Sequence, residues 1–548
     1  MVPFLLKGLK LFNSRLKCNL NCKNISDIAK FSKEYEYNAW ILGYFGSSEE
    51  KYTTFPIFQP NNDLNLQDLH KRSTVELANL IADRKLKKRL VALVDFEFSE
   101  RLNEKTPKKE LLSVLHSLAS NYKQFDLVFL KKAIPHLERH IKEGNFSIYE
   151  QIQCMYYISK YGSKPLGKRI SSLVLEKVTK KQLDILNEND LAIFCLSSFS
   201  SGVNLADTGI PSFIVKQISK DLTDTTQDSL FIFRLICFIK CLRQAEHYDD
   251  NLFTLLARKL INGECNLRNL PVTTMVHLLQ YYCNGLYADV DFILWAVRES
   301  VQQVESSFKT RKRVRLKDLN NLLYSASRYC CKEINEVFQN SSIPNHVYYT
   351  FKENKVPPNM MANILLSLWI AECDVKDAVV EFITENNINL IKGNDNFKDF
   401  AKLNLFLTCI RFESPNLLGF DVKNAQSYHL QPRREKYLLK RPHLKKMLEF
   451  LAKNGHIYGL TDIRFAFQVP GLYIGGIRAN HLSGNLDIEV IDSTVCLRKS
   501  KQPNGNMVLK LRLLKKMNHN FISLYLNNAD CFDQNLESVE HQLKTALL

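Results

Sequence analysis

The sequence lacks an apolar run long enough to cross a membrane. A spanning helix needs about 18 or more consecutive apolar residues. The nearest candidate, SLFIFRLICFIKCL at 229–242, is shorter and contains Arg234 and Lys240. We therefore predict a buried helix here and no membrane span. With 45% hydrophobic and 24% charged residues over 548 residues, the composition is that of a folded chain large enough for several domains or a repeat array.

Paired cysteine motifs are also missing. Apart from the adjacent Cys330 and Cys331, the 14 cysteines are scattered, mostly among apolar residues, and no Cys-x-x-Cys occurs. This usage is typical of small core residues in a reducing compartment, and it favours neither a disulfide framework nor a zinc site. We predict no bound metal and no cofactor.

The sequence contains no recognisable catalytic motif. It has no phosphate-binding loop, dinucleotide fingerprint, kinase triplet, His-Glu-x-x-His or Gly-x-Ser-x-Gly. The only clustered acids are Asp487, Glu489 and Asp492 on a predicted strand, where alternation places Asp487 and Glu489 on one side, as a Mg²⁺-dependent nuclease requires. The lysine that such a site needs two residues later is replaced by Ile491. We interpret these acids as solvent-facing residues of an edge strand and expect no catalysis.

Acidic residues are absent from the first 26 positions. This segment alternates Leu and Phe with Lys7, Lys10, Arg15, Lys17 and Lys23. A basic amphipathic segment without acids is typical of a mitochondrial targeting peptide. A basic first helix of the folded body is the alternative. We favour targeting to the mitochondrial matrix, with residues 1–26 as the leader and residues 27–109 as an N-terminal helical region.

A Leu-rich helix recurs from residue 110 onwards. One equivalent apolar residue per copy, which we call the anchor, can be chosen at intervals of 40 to 44 residues: Leu115, Met155, Leu196, Ile236, Leu279, Leu323 and Leu366. A second amphipathic helix follows each of the first five. A period near 40 built from helix pairs is typical of an α-solenoid, in which neighbours stack to bury their apolar faces. We predict about seven two-helix repeats within residues 110–454.

Residues 455–548 have a different sequence pattern, in which strand-like and helix-like segments alternate. LDIEVIDSTVCLR alternates like a strand, NGNMVLKLRLLKKMNHN reads as a basic helix, FISLYL as a short strand and LESVEHQLKTALL as a final helix. The order strand, helix, strand, helix predicts a small α/β domain.

The net charge of +17 is concentrated at the two ends of the chain. Residues 421–516 alone carry 18 Lys or Arg against 7 Asp or Glu. Clustered cations are typical of phosphate binding, although any single run can be a solvated helix face. The candidate RNA-binding residues are Arg311, Lys312, Arg313, Arg315, Arg433, Arg434, Lys436, Lys440, Arg441, Lys445, Lys446, Lys510, Arg512, Lys515 and Lys516. Tyr324 and Tyr437 beside them could stack on unpaired bases.

This organisation resembles the FAST kinase domain-containing family. LNNLLYSAS and NMMANILLSLWIAEC are similar to its two FAST regions, and NLDIEVID followed by LKLRLLKKMNHNFISLYL is similar to its C-terminal RAP domain. The resemblance implies a RAP-like, restriction-endonuclease-like fold for residues 455–548. It also implies post-transcriptional handling of single-stranded mitochondrial RNA, together with other RNA-processing or ribosome-associated proteins. Two alternatives stay open: a protein–protein scaffold built on the solenoid, and a metal-dependent ribonuclease using Asp487 and Glu489.

Overall fold

The computed structural model is mainly helical, with a small mixed sheet near the C-terminus. It describes residues 34–47, 51–52, 70–82, 88–121, 128–223, 230–263, 270–309, 314–353, 356–392, 396–417, 434–482, 484–526 and 532–547. The predicted targeting peptide lies outside these ranges. The chain divides into two compact units, Met1–His277 and Leu278–Leu548.

The first unit consists of helices. They are α1 (Glu34–Ser47), α2 (Thr74–Ala82), α3 (Lys88–Arg101), α4 (Lys108–Asn121), α5 (Val128–Lys142), α6 (Ile148–Tyr161), α7 (Lys164–Lys177), α8 (Lys180–Asp184), α9 (Glu188–Ser201), α10 (Ile210–Thr223), α11 (Phe231–Gln244) and α12 (Asp250–Ile261). Among these, α2, α4, α6, α9 and α11 form one row, each packed against the next, while α3, α5 and α7 form a second layer.

Further helices follow along the chain up to residue 413. They are α13 (Val272–Asn284), which crosses the boundary between the units, α14 (Val290–Lys309), α15 (Leu316–Ser327), α16 (Lys332–Gln339), α17 (Ile343–Lys352), α18 (Pro358–Ile370), α19 (Lys376–Phe382), α20 (Glu385–Lys392) and α21 (Phe397–Glu413). Within the second unit, α15, α18 and α21 form a row in which each helix packs against the next, and α14 packs against α16 and α17. Each predicted anchor lies in a separate helix, and all but Leu196 are buried. Helix α21 adds a row member that the sequence reasoning did not count.

Local sequence signals explain where the row helices begin and end. Ser147 and Glu150 form a reciprocal capping box at the start of α6, and Asn187 and Asp190 do the same for α9. These side chains satisfy backbone N–H groups that have no partner within the helix. Helix α9 ends at Gly202, whose φ of 74° is the left-handed conformation that glycine adopts without strain.

The remaining elements build the C-terminal α/β part. They are α22 (Arg434–Leu439), α23 (Pro442–Asn454), β1 (Thr461–Ala466), β2 (Gly476–His481), β3 (Gly484–Ile491), α24 (Gly505–Lys516), β4 (Asn520–Tyr525) and α25 (Leu536–Leu547), with short 3₁₀ helices at Pro415–Leu417, Gly455–Tyr458 and Asp533–Asn535. The sheet order is β1-β2-β3-β4. β3 pairs antiparallel with β2 and parallel with β4. The predicted order of strand, helix, strand and helix is confirmed as β3, α24, β4 and α25.

Helices cover both faces of this sheet. On one face, α22, α23 and α25 bury an apolar core with Leu486, Ile488 and Val490 of β3. This core already begins at Leu438, before residue 455. On the other face lies α24, which also packs against α18 and α21. The contact at its start is so close that a Cβ on Gly505 would collide with the carbonyl oxygen of Ser327.

Within the described ranges, no helix combines the length and apolar character needed to span a membrane.

Candidate nucleic-acid interface

The three candidate acids lie at the centre of the sheet. Asp487 and Glu489 project from β3 on the face opposite Ile488, since side chains alternate along a strand. The interpretation of solvent-facing acids on an edge strand is wrong: β3 lies between β2 and β4, and Asp487, Glu489 and Asp492 are all buried. A buried carboxylate needs a compensating partner, and each of the three has one.

Glu489 is paired with Lys510 of α24. The Lys510 Nζ lies 2.5 Å from the Glu489 Oε2, and both residues are 0% exposed. Burial lowers the pKa of Lys510, although Glu489 opposes this shift. A metal-dependent nuclease needs a lysine beside its carboxylate, and Ile491 occupies that position in the sequence. In the structure, Lys510 of α24 lies beside Glu489 instead. Because solvent reaches neither side chain, an RNA phosphate has no access to the pair in this structure.

Asp487 is held by two basic groups. The Arg478 guanidinium of β2 donates to both carboxylate oxygens, at 2.8 and 3.0 Å. The Nδ1 of His519 lies 2.6 Å from Oδ2. Burial opposes ionisation, but the hydrogen bonds from Arg478 and His519 prevail and hold the pKa of Asp487 below its usual value. This carboxylate therefore stays charged at neutral pH.

Asp492 forms an ion pair with Arg441, whose Nη2 is 3.1 Å from Oδ2. The same guanidinium donates to the carbonyl oxygens of Gly475 and Val490 at 3.1 and 2.7 Å. Burial opposes its charge, but Asp492 keeps the pKa of Arg441 raised. Arg441 thus ties the start of α23 to the end of β3.

These pairs form a charge cluster consisting of Asp487, Glu489, Asp492 and their partners Arg441, Arg478, Lys510 and His519. Each acid already faces a protein cation, an arrangement that repels Mg²⁺. Among the described residues, no group of three or more His, Cys, Asp or Glu converges as a metal site. The ion pairs of the cluster connect β2, β3, α23 and α24, so they hold the two helices in position against the sheet.

The candidate cations do not form one surface. Exposed side chains are Arg434, Lys436 and Lys440 around α22, Lys445 and Lys446 on α23, and Lys515 and Lys516 at the end of α24. Lys510 and Arg441 are buried in the charge cluster. Arg512 is partly buried, where it donates to Glu413 at 2.7 Å and to Glu372 at 3.0 Å. Since α23 and α24 lie on opposite faces of the sheet, the exposed candidate cations fall into two separate groups.

The other candidates are placed as follows. Arg315 is exposed at the start of α15, with its Nε 3.6 Å from Asp318. Arg311, Lys312, Arg313 and Arg433 lie outside the described residues. The hydroxyl of Tyr437 accepts a hydrogen bond from the Gly475 N–H at 2.7 Å, and its ring packs against Phe465 and Phe467, so this residue is structural.

Sequence reasoning missed Arg478 and His519. Arg478 stands directly opposite Asp487 in the β2–β3 register. Recognising the hairpin would have suggested this cross-strand pair, because oppositely charged residues commonly face each other there. His519 comes from the start of β4, and no local pattern connects it to Asp487.

No known family model matches this chain, and no curated protein is similar to it in sequence. Membership of the FAST kinase domain-containing family therefore stays a prediction based on the motifs quoted above.

Proposed function

We propose that the protein binds single-stranded RNA in the mitochondrial matrix and acts, without catalysis of its own, in the stability, processing or translation of organelle transcripts. In this proposal the helical part is an α-solenoid of about seven two-helix repeats and the C-terminal part is a RAP-like domain. Other RNA-processing or ribosome-associated proteins are the expected partners.

The observation that carries the proposal is a set of exposed cations in and between α22 and α23, which we call the cationic face of α22 and α23. We define this face as Arg434, Lys436, Lys440, Lys445 and Lys446, all exposed. The one ion pair recorded for it within the described residues joins Lys445 to Glu449 at 3.9 Å. Arg434, Lys436, Lys440 and Lys446 form no ion pair with any residue that the structure describes. These groups are therefore available to phosphates, whereas the cations of the charge cluster are not.

The buried state of the acids supports binding rather than cleavage. A nuclease must bring metal, water and a phosphate to its carboxylates. Here Glu489 and Lys510 are fully buried, and Asp487 and Asp492 are held by arginines. Phosphate binding at the surface needs none of these groups.

The test is charge reversal on the cationic face. The variant Lys436→Glu/Lys440→Glu/Lys445→Glu/Lys446→Glu should lose most affinity for single-stranded RNA, by at least about tenfold at 0.1 M salt. Five phosphate contacts predict that log affinity falls against log salt concentration with a slope of about −3.5. The slope of the variant should be closer to zero. Fluorescence anisotropy with labelled RNA measures both quantities.

The matched control is Lys515→Glu/Lys516→Glu, which reverses two exposed cations on the other side of the sheet. It should bind RNA nearly as the wild type does. Equal losses in the two variants would mean that charge in general, and not this face, governs binding. A wild-type protein that binds no RNA would refute the function and leave the scaffold alternative.

A further inference from the structure

The row helices have two equivalent positions that lie beside the anchor on the helix surface. One is three residues before the anchor and the other is one residue after it. These positions are four residues apart and therefore lie on one face of an α-helix. We call this the inner face of the row. Its environment differs between the two units.

In the first unit, α1 covers the inner face. On α6, Tyr156 follows the anchor Met155, and its hydroxyl donates to Asn38 Oδ1 at 2.8 Å. On α11, Phe233 precedes the anchor Ile236, and its ring lies against Tyr37 and Trp40 with centroids 5.0 and 4.9 Å apart. Both inner-face residues are buried.

The covering segment is fixed at a buried carboxylate. Asp190 of α9 is 0% exposed and accepts hydrogen bonds from the hydroxyls of Tyr44 at 2.8 Å and Tyr52 at 2.7 Å. Asp190 also completes the capping box of α9. The chain itself thus covers this part of the inner face with its own residues.

In the second unit, the inner face carries polar side chains. The equivalent positions on α13, α15 and α18 hold Gln280, Asn320, Tyr324 and Asn363, together with the buried residues Val276 and Ser367. Tyr324 is 39% exposed, and the amides are half-buried. The amide oxygens of Asn320 and Asn363 are themselves buried and accept no hydrogen bond from any described residue. The Nζ of Lys402 on α21 lies 5.8 Å from the centre of the Tyr324 ring.

These groups match the chemistry of an unpaired nucleotide. An amide side chain both donates to and accepts from base edges, an exposed tyrosine ring stacks on a base, and a lysine beside it attracts the phosphate. A buried amide oxygen without a hydrogen-bond donor destabilises the folded protein. Rotation of the side chain would bring this oxygen to a polar ligand or to water, which would remove the cost. No acidic side chain occupies the equivalent positions on α13, α15 and α18.

We propose that the inner face of α15, α18 and α21 holds bases of single-stranded RNA, with Tyr324 stacking on one base and Asn320 and Asn363 contacting base edges. This inference rests on the proposed function and adds a base-contacting surface to the phosphate-contacting one. The two surfaces contribute to RNA affinity in different ways. Stacking on Tyr324 adds affinity that does not depend on salt, whereas the cationic face of α22 and α23 adds affinity through salt-dependent phosphate contacts.

The test compares two tyrosine variants of the full chain. Tyr324→Leu should weaken binding of single-stranded RNA by about tenfold, as loss of one stacked base does, with the salt slope unchanged. Asn363→Leu should weaken it by a smaller factor. Tyr349→Leu is the control, because Tyr349 is 63% exposed on α17, outside the row, and it should bind as the wild type does. Circular dichroism and thermal unfolding establish that each variant is folded.

The outcomes separate this inference from the function on which it rests. Wild-type affinity in folded Tyr324→Leu, together with weakened binding in the charge-reversed α22–α23 variant, overturns the inference and leaves the function standing. Equal weakening of RNA binding in Tyr349→Leu overturns it as well. Ultraviolet crosslinking of RNA to the peptide that contains Tyr324 would support it directly.

Discussion

Helices α23 and α24 flank the same sheet and are both rich in cations, but α24 has two inward-pointing cations, Lys510 and Arg512, besides its exposed Lys515 and Lys516. On α23, Lys445 and Lys446 project into solvent. On α24, Lys510 points inward to Glu489, and Arg512 points to Glu413 of the helical part. Similar basic sequences thus serve two purposes. One exposes its charge to solvent, and the other holds the α/β part together and against the last row helices.

The cause of the difference lies in β3. Its residues alternate so that Leu486, Ile488 and Val490 face α23 while Asp487 and Glu489 face α24. A helix over the apolar face packs through its own apolar stripe, and its cations remain outside. A helix over the acidic face must supply cations to the buried carboxylates, since an unpaired buried charge is strongly destabilising.

The largest expected effect comes from breaking the buried pair. Lys510→Ala leaves Glu489 charged and without a partner, which should lower the free energy of unfolding by about 3–5 kcal/mol. Urea unfolding followed by circular dichroism measures the change. The matched variant on the same helix, Lys516→Ala, should change stability by no more than about 0.5 kcal/mol. If both variants lost a similar amount of unfolding free energy, buried and exposed cations of α24 would not differ in their contribution to stability, and the prediction would be wrong.

A smaller effect should follow from Asp487. Its pKa is lowered in the folded state, so its contribution to stability is full above the usual value of 3.8 and disappears as the pH falls through the lower folded value. Asp487→Asn should therefore be less stable than the wild type at pH 6, by about 1–3 kcal/mol. The difference should shrink below about pH 3.8. Thermal unfolding across this range tests the prediction, and a difference independent of pH would rule out the charged contacts as its source.

The smallest effect concerns a single outward cation. Lys446→Ser should leave stability within about 0.5 kcal/mol of the wild type, because the side chain is exposed and unpaired in the described structure. If the cationic face binds RNA, the same change should reduce the salt slope by about 0.7. Anisotropy titrations at several salt concentrations provide the measurement. A marked loss of stability would instead assign Lys446 a structural role.

Periodic features were predictable from the sequence. The anchors at 40- to 44-residue intervals located the row helices, because apolar positions repeat with the period of a helix face. Alternation in LDIEVI correctly placed Asp487 and Glu489 on one side of a strand. Helix α21 was not counted, because its apolar residues surround the helix and give no clear stripe.

Pairings between distant residues were not predictable in this way. Arg441 belongs to a basic run whose other described Lys and Arg members are exposed, and nothing in the run separates it from them. Its burial follows from the position of Asp492 and the carbonyl oxygens of Gly475 and Val490 at the end of β3. The two tyrosines that follow an anchor residue by one position are a second example. Tyr156 is buried by α1, whereas Tyr324 is exposed, and their local sequences do not reveal this difference.

The sequence by itself determined which residues form helices and strands, which side of each element is apolar, and how many cations the C-terminal part carries. These properties depend on neighbours within one or two turns. The tertiary structure decided which cations meet an acid, which face of the sheet each helix covers, and which part of the inner face the chain fills with its own α1. Those outcomes depend on contacts between residues far apart in sequence, where burial makes an unpaired charge costly and therefore selects its partner.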